Sequence, residues 1–130
     1  IVITKFYPNS NHKFGFRNWV YISNNTTITS FYHSHTAMPR LKCEGSWTWT
    51  YYIQVPNQLK GEEGKLSFLV EDGKTFNILP EEGDLLIFPA SLQHRPLETP
   101  NSTRDRIVLA GTLGKLDMNH RYEKSESTLL

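Results

Sequence analysis

The chain has 130 residues, 38% of them apolar and 12% aromatic, and its 14 basic and 13 acidic side chains leave a formal charge of +1. That composition describes one folded domain with a single core. It excludes a disordered chain, and the absence of a basic block or stripe argues against a nucleic-acid binder. No apolar run approaches the roughly 18–20 residues that a membrane-crossing helix needs. The single cysteine, Cys43, rules out an internal disulfide framework and suits a reducing, cytoplasmic setting. No secretory signal pattern is present, so the sequons at Asn24, Asn25 and Asn101 are read as coincidental; the chain opens on Ile1 with no methionine, which leaves open whether residues precede it.

Helical periodicity is nearly absent. Short runs rich in β-branched and aromatic residues, separated by Gly, Pro, Asn and Asp, predict strands over 19–23, 26–33, 47–55, 65–71, 75–79, 84–88 and 106–113. Between the fourth and fifth of these, Glu71-Asp72-Gly73-Lys74 carries an Asp-Gly pair, the strongest local hairpin signal in the chain. Over 47–55 the residues alternate, with Trp47, Trp49, Tyr51, Ile53 and Val55 on one face and Thr48, Thr50, Tyr52 and Gln54 on the other. The run 84–88 is apolar at nearly every position, the pattern of a strand buried on both faces. Seven or eight such strands predict an all-β fold, a double-stranded β-helix (jelly-roll barrel) over residues 1–114, with 115–130 as a polar tail.

Histidines carry the chemistry. Side chains alternate along a strand, so His33 and His35 point to the same side. Gly83 turns the chain, Leu85-Leu86-Ile87-Phe88 crosses the core and Pro89 ends the strand; five residues later His94 is delivered to one rim. Convergence of His33, His35 and His94 makes a three-imidazole metal site with its other positions open, a donor set that suits Fe, Zn, Cu or Ni. Arg106 opens an apolar strand twelve residues after His94. Its guanidinium either meets a ligand carboxylate at the barrel rim, or caps the strand, or pairs with Asp105 or Glu98. His12 and His120 have no such context and are expected in solvent.

From about His33 to Leu113 the chain resembles the non-haem Fe(II)/2-oxoglutarate oxygenase superfamily, within it a small branch with a His-x-His first motif. The matching pieces occur in order: His33-Ser34-His35, then Trp49-Thr50-Tyr51-Tyr52-Ile53-Gln54-Val55-Pro56, then Pro80-Glu81-Glu82-Gly83-Asp84-Leu85-Leu86-Ile87-Phe88-Pro89 with His94, then Arg106-Ile107. The resemblance implies Fe(II) and 2-oxoglutarate as cofactors. His33 and His94 would be iron ligands, with His35 where the family places a carboxylate. Arg106 would grip the distal carboxylate of 2-oxoglutarate, and Tyr52, or else Tyr51, would hydrogen-bond it. Val108 stands where the family often has serine, and Met38 to Gly45 reads as an inserted rim loop in which Arg40 and Lys42 are solvated.

The segment from Gly83 to His94 also resembles the second cupin motif, and His33-Ser34-His35 the start of the first. The glutamate that follows in cupins is missing from 36–41, and Glu44 is nine residues past His35. Three functions are therefore carried forward. The first is an Fe(II)/2-oxoglutarate-dependent oxygenase hydroxylating an unidentified small-molecule or peptide substrate. The second is a cupin-type three-histidine metalloprotein, a dioxygenase or isomerase. The third is a non-catalytic barrel whose Trp47, Trp49, Phe68 and Phe88 merely fill a core. No nucleic acid or membrane is expected as a partner, and a homodimer through an edge strand is left open.

Overall fold

A computed structural model describes residues 14–23, 31–38 and 43–116. Eight strands run in chain order: β1 Phe14–Ser23, β2 Ala37–Met38, β3 Cys43–Gln54, β4 Leu66–Leu69, β5 Thr75–Ile78, β6 Leu85–Pro89, β7 His94–Pro96 and β8 Arg106–Leu116. They form two antiparallel sheets. One has the order β1-β8-β3-β2 with β6 also paired to β3, and the other is β5-β4-β7. The fold is a double-stranded β-helix, as expected. Among the described residues the helical content is a single 3-10 turn, and no helix is long and apolar enough to cross a membrane.

Turn chemistry explains the local connections. The 3-10 turn Glu71–Gly73 joins β4 to β5, with Asp72 (φ 60°) and Gly73 (φ 71°) both left-handed, as a tight hairpin needs. At Gly83 (φ 91°) the chain turns into β6, and the backbone pairs Gly83 N–H with Tyr52 O (2.8 Å) and Tyr52 N–H with Asp84 O (3.0 Å).

The core lies between the sheets in two clusters. Tyr52, Val108 and Ala110 pack with Trp19, Tyr21, Val55 and Leu86; Leu66, Phe68 and Phe88 pack with Ile78, Leu86 and Leu92, so Leu86 joins the two. Phe68 and Phe88 meet edge to face at 5.0 Å. The inward face of β3 is Thr48, Thr50 and Tyr52, and its aromatic set Trp47, Trp49, Tyr51 faces out.

Several expectations are corrected. The run 84–88 is not buried on both faces: Leu85 is 54% and Ile87 60% exposed, because nothing among the described residues covers the outer side of the five-stranded sheet. Trp47 is likewise exposed and is not core. Of the strand expected over 26–33, residues 26–30 lie outside the described residues. Phe31 to His33 contribute only one isolated bridge, His33 to His94. The expected rim loop between Met38 and Gly45 is in part a short hairpin, with Ala37 opposite Glu44 and Met38 opposite Cys43; Arg40 and Lys42 lie outside the described residues. β8 continues to Leu116, whereas residues 117–130, His12 and His120 are also outside them.

Gly111 sits opposite Trp49 and Asn18 across the sheet. A Cβ built there would come within 2.5 Å of the Trp49 ring and of Asn18 Oδ1. Replacing Gly111 with Ala should therefore displace Trp49 and cost about 1–3 kcal/mol, read from urea unfolding; a loss under about 0.5 kcal/mol would show that Trp49 is not held against the glycine.

Candidate metal centre

His33 and His94 are joined by reciprocal backbone hydrogen bonds, His33 N–H to His94 O at 3.1 Å and His94 N–H to His33 O at 2.9 Å. His35 N–H donates to Ala90 O (2.8 Å), which ties the His-x-His segment to the chain after β6. The three rings converge: centroids are 4.5 Å apart for His33 and His94, and 5.0 Å for each of the other two pairs. One ring nitrogen from each lies within 4.8 Å of the other two, so small side-chain rotations that draw the rings together would let them share one metal ion.

Hydrogen bonds set the tautomers. His33 Nδ1 lies 3.0 Å from Phe31 O and His94 Nδ1 2.9 Å from Leu92 O. A carbonyl oxygen only accepts, so each Nδ1 carries the proton and each Nε2 keeps its lone pair for a metal. Burial also favours the neutral form of two of the rings. Burial, with His94 and His33 adding to it, lowers His35 from 6.5 to about 4, and burial lowers His94 as well. Trp19 packs tilted against His35 at 5.0 Å, and Phe88 edge-on against His94 at 4.8 Å, so the rings are oriented by packing as well as by hydrogen bonds.

The histidines open into a cavity of about 140 Å³ between the sheets. Its wall includes Trp19, Tyr21, Thr50, Tyr52, Arg106 and Val108. Arg106 is only 5% exposed; its Nη2 donates to Leu97 O at 3.0 Å. The ion pairs among the described residues are Lys65–Glu62 and Arg104–Glu82, so neither Asp105 nor Glu98 neutralises Arg106. Burial lowers its pKa, opposed by the nearby Tyr52 and Tyr21. Burial raises the pKa of Tyr52, so its hydroxyl stays protonated and available as a donor.

Of the two tyrosines left open by the sequence, Tyr52 faces the cavity and Tyr51 faces outward. Sequence reasoning missed Trp19, Tyr21 and Thr50. Thr50 is buried in the cavity wall, its hydroxyl beside that of Tyr52. The alternation 48, 50, 52 contained the signal, but an aromatic-rich opposite face concealed which side pointed in.

No family model and no curated protein matches the chain. Among solved structures, it is similar in fold to a prolyl-4-hydroxylase from Pseudomonas putida (TM-score 0.54, 16% identity, 80% of this chain and 52% of that one). It is also similar in fold to prolyl 4-hydroxylases from Phytophthora capsici (TM-score 0.62, 16% identity, 90% and 39%). The chain thus spans about half the length of the first and two fifths of the second. A cupin protein from Bacteroides fragilis aligns at TM-score 0.49 with 12% identity over 94% of this chain and 91% of that one.

An unfolded His35 takes up a proton near pH 6.5 and the folded one only near pH 4, so the unfolded state binds more protons in between. Metal-free protein should therefore lose stability as pH falls from about 6.5 to about 4. His35→Gln should flatten that part of the profile relative to wild type in denaturant titrations at stepped pH. Parallel profiles would mean that His35 is not buried among the other two rings.

Proposed function

We propose that the chain is an Fe(II)/2-oxoglutarate-dependent oxygenase that binds its metal through His33, His35 and His94 and hydroxylates an organic substrate. The observation that carries this reading is Arg106, a buried guanidinium that no carboxylate of the described residues pairs with, in the wall of the same cavity as the three imidazoles. Burying a cation is costly unless an anion meets it, and the cavity therefore calls for an anionic ligand. A dicarboxylate satisfies both ends, with one carboxylate on the metal and the other in the guanidinium fork.

The donor set fits a divalent transition metal: three imidazoles, with Nε2 free on His33 and His94, and no thiolate among them. When bound, the iron supplies O₂ activation coupled to decarboxylation of 2-oxoglutarate to succinate, with the second oxygen atom entering a C–H bond of the substrate. The protein's part is orientation. Arg106 fixes the distal carboxylate, the hydroxyls of Tyr52 and Thr50 offer hydrogen bonds to the cosubstrate, and Trp19, Val108 and Ala110 keep that part of the cavity apolar. The cavity is smaller than the roughly 300 Å³ and above typical of whole-ligand pockets, so the substrate's reacting carbon approaches from the open side.

One observation favours a second reading, a cupin-type metalloprotein without 2-oxoglutarate: the site has a third imidazole where the oxygenases place a carboxylate. Anaerobic titration with Fe(II) and then 2-oxoglutarate separates them. The oxygenase reading expects a weak visible charge-transfer band on addition of 2-oxoglutarate. Iron binding with no band at any 2-oxoglutarate concentration would move the cupin reading ahead. Arg106→Ala should raise the 2-oxoglutarate concentration needed for the band by about 10- to 100-fold and leave Fe(II) binding unchanged; an unaltered requirement would remove Arg106 from the site.

A further inference from the structure

The outer face of the five-stranded sheet is apolar across four strands. Val20, Leu109, Tyr51 and Leu85 form one row over β1, β8, β3 and β6, and Asn18, Gly111, Trp49 and Ile87 form the next. Within 18–22, 47–53, 85–87 and 107–113 no outward-facing residue is charged. Large side chains here stand open to solvent: Val20, Ile22, Ile53 and Trp47 are between 42% and 62% exposed, with Tyr51 at 40%, alongside Leu85 and Ile87. Scattered exposed hydrophobics are ordinary in a folded protein, but a continuous sheet face of them is the mark of an interaction surface.

We infer that this face is the interface with a second copy of the chain, the two five-stranded sheets stacked face to face about a twofold axis. The area suits that occupant. At roughly 150–250 Å² for a fully accessible large side chain, the open side chains expose on the order of 700 Å², against about 800 Å² per partner in a standard stable interface.

Charge suits it too. A twofold axis sets a patch against itself, so any charge within it meets its own like near the axis, and the four ranges just given hold none facing outward. The surface is also shaped for sheet-on-sheet contact. Trp49 lies against Gly111, which keeps the middle of the face low, and two such twisted sheets pack about 10 Å apart with strands roughly 30° from parallel. Thr50, Tyr52, Val108 and Arg106 project from the same sheet to the opposite side, so stacking leaves the metal cavity clear.

Sedimentation equilibrium on the purified chain tests this, using Tyr51→Lys and Leu85→Lys. Tyr51 is the more telling, since β3 is flanked there by β8 and β6 and the residue borders no free sheet edge. Wild type should be dimeric at micromolar concentration. Each lysine should raise the dimer dissociation constant about 100-fold or more, because a charge is then buried against the partner's apolar face. Circular dichroism and divalent-metal titration should match wild type for at least one variant, showing that dimerisation and not folding was lost. A wild-type chain that stays monomeric up to about 100 µM would overturn the inference. So would a dimer that survives both substitutions, which would place the contact at a strand edge.

Discussion

The site depends on one backbone pairing. His33 and His94 are 61 positions apart in number, and each donates its N–H to the other's carbonyl. Closing so long a loop is entropically unfavourable, and here it is offset by the core that β4, β5 and β6 make around Phe68 and Phe88. Because Phe88 also packs edge-on against His94, the residues that hold the barrel together orient one of the proposed ligands. His35 follows from the same pairing: two residues beyond the bridge, it returns to the cluster and is held by Ala90 O and the Trp19 ring.

Electrostatics gives the site its direction. Three imidazoles contribute no negative charge, and Arg106 adds a buried positive one. A divalent metal would raise the positive charge further, with no carboxylate in the three-residue donor cluster to balance it. On the proposed reading, imidazole donors and an anion from solution would together hold the metal, and metal and dicarboxylate would favour each other's binding, since each would reduce the electrostatic penalty of the other.

Much of this was legible in the residues. His-x-His together with Gly-x5-Pro and a following histidine identified the three rings that converge, and Asp72-Gly73 identified the β4–β5 hairpin. Arg106 was legible as a candidate; among the described residues it pairs with neither Asp105 nor Glu98, and its Nη2 donates to Leu97 O. The failures share a physical cause. On the large sheet the inward face of β3 is threonine-rich and the outward face aromatic, so alternation over 47–55 gave two faces without saying which was inside, and the apolar outward residues of 84–88 read as buried. His94–Pro96 is too short, and too close to Pro89, to register as a strand at all.

X-ray absorption spectroscopy on the Zn(II)-loaded protein bears most directly on whether the three rings act together. Multiple scattering from three imidazoles at about 2.0–2.1 Å, with the remaining coordination filled by oxygen, is the expected result. A fit requiring only one or two imidazoles would contradict it, leaving His35 as a packed neighbour of the metal and the donor set incomplete.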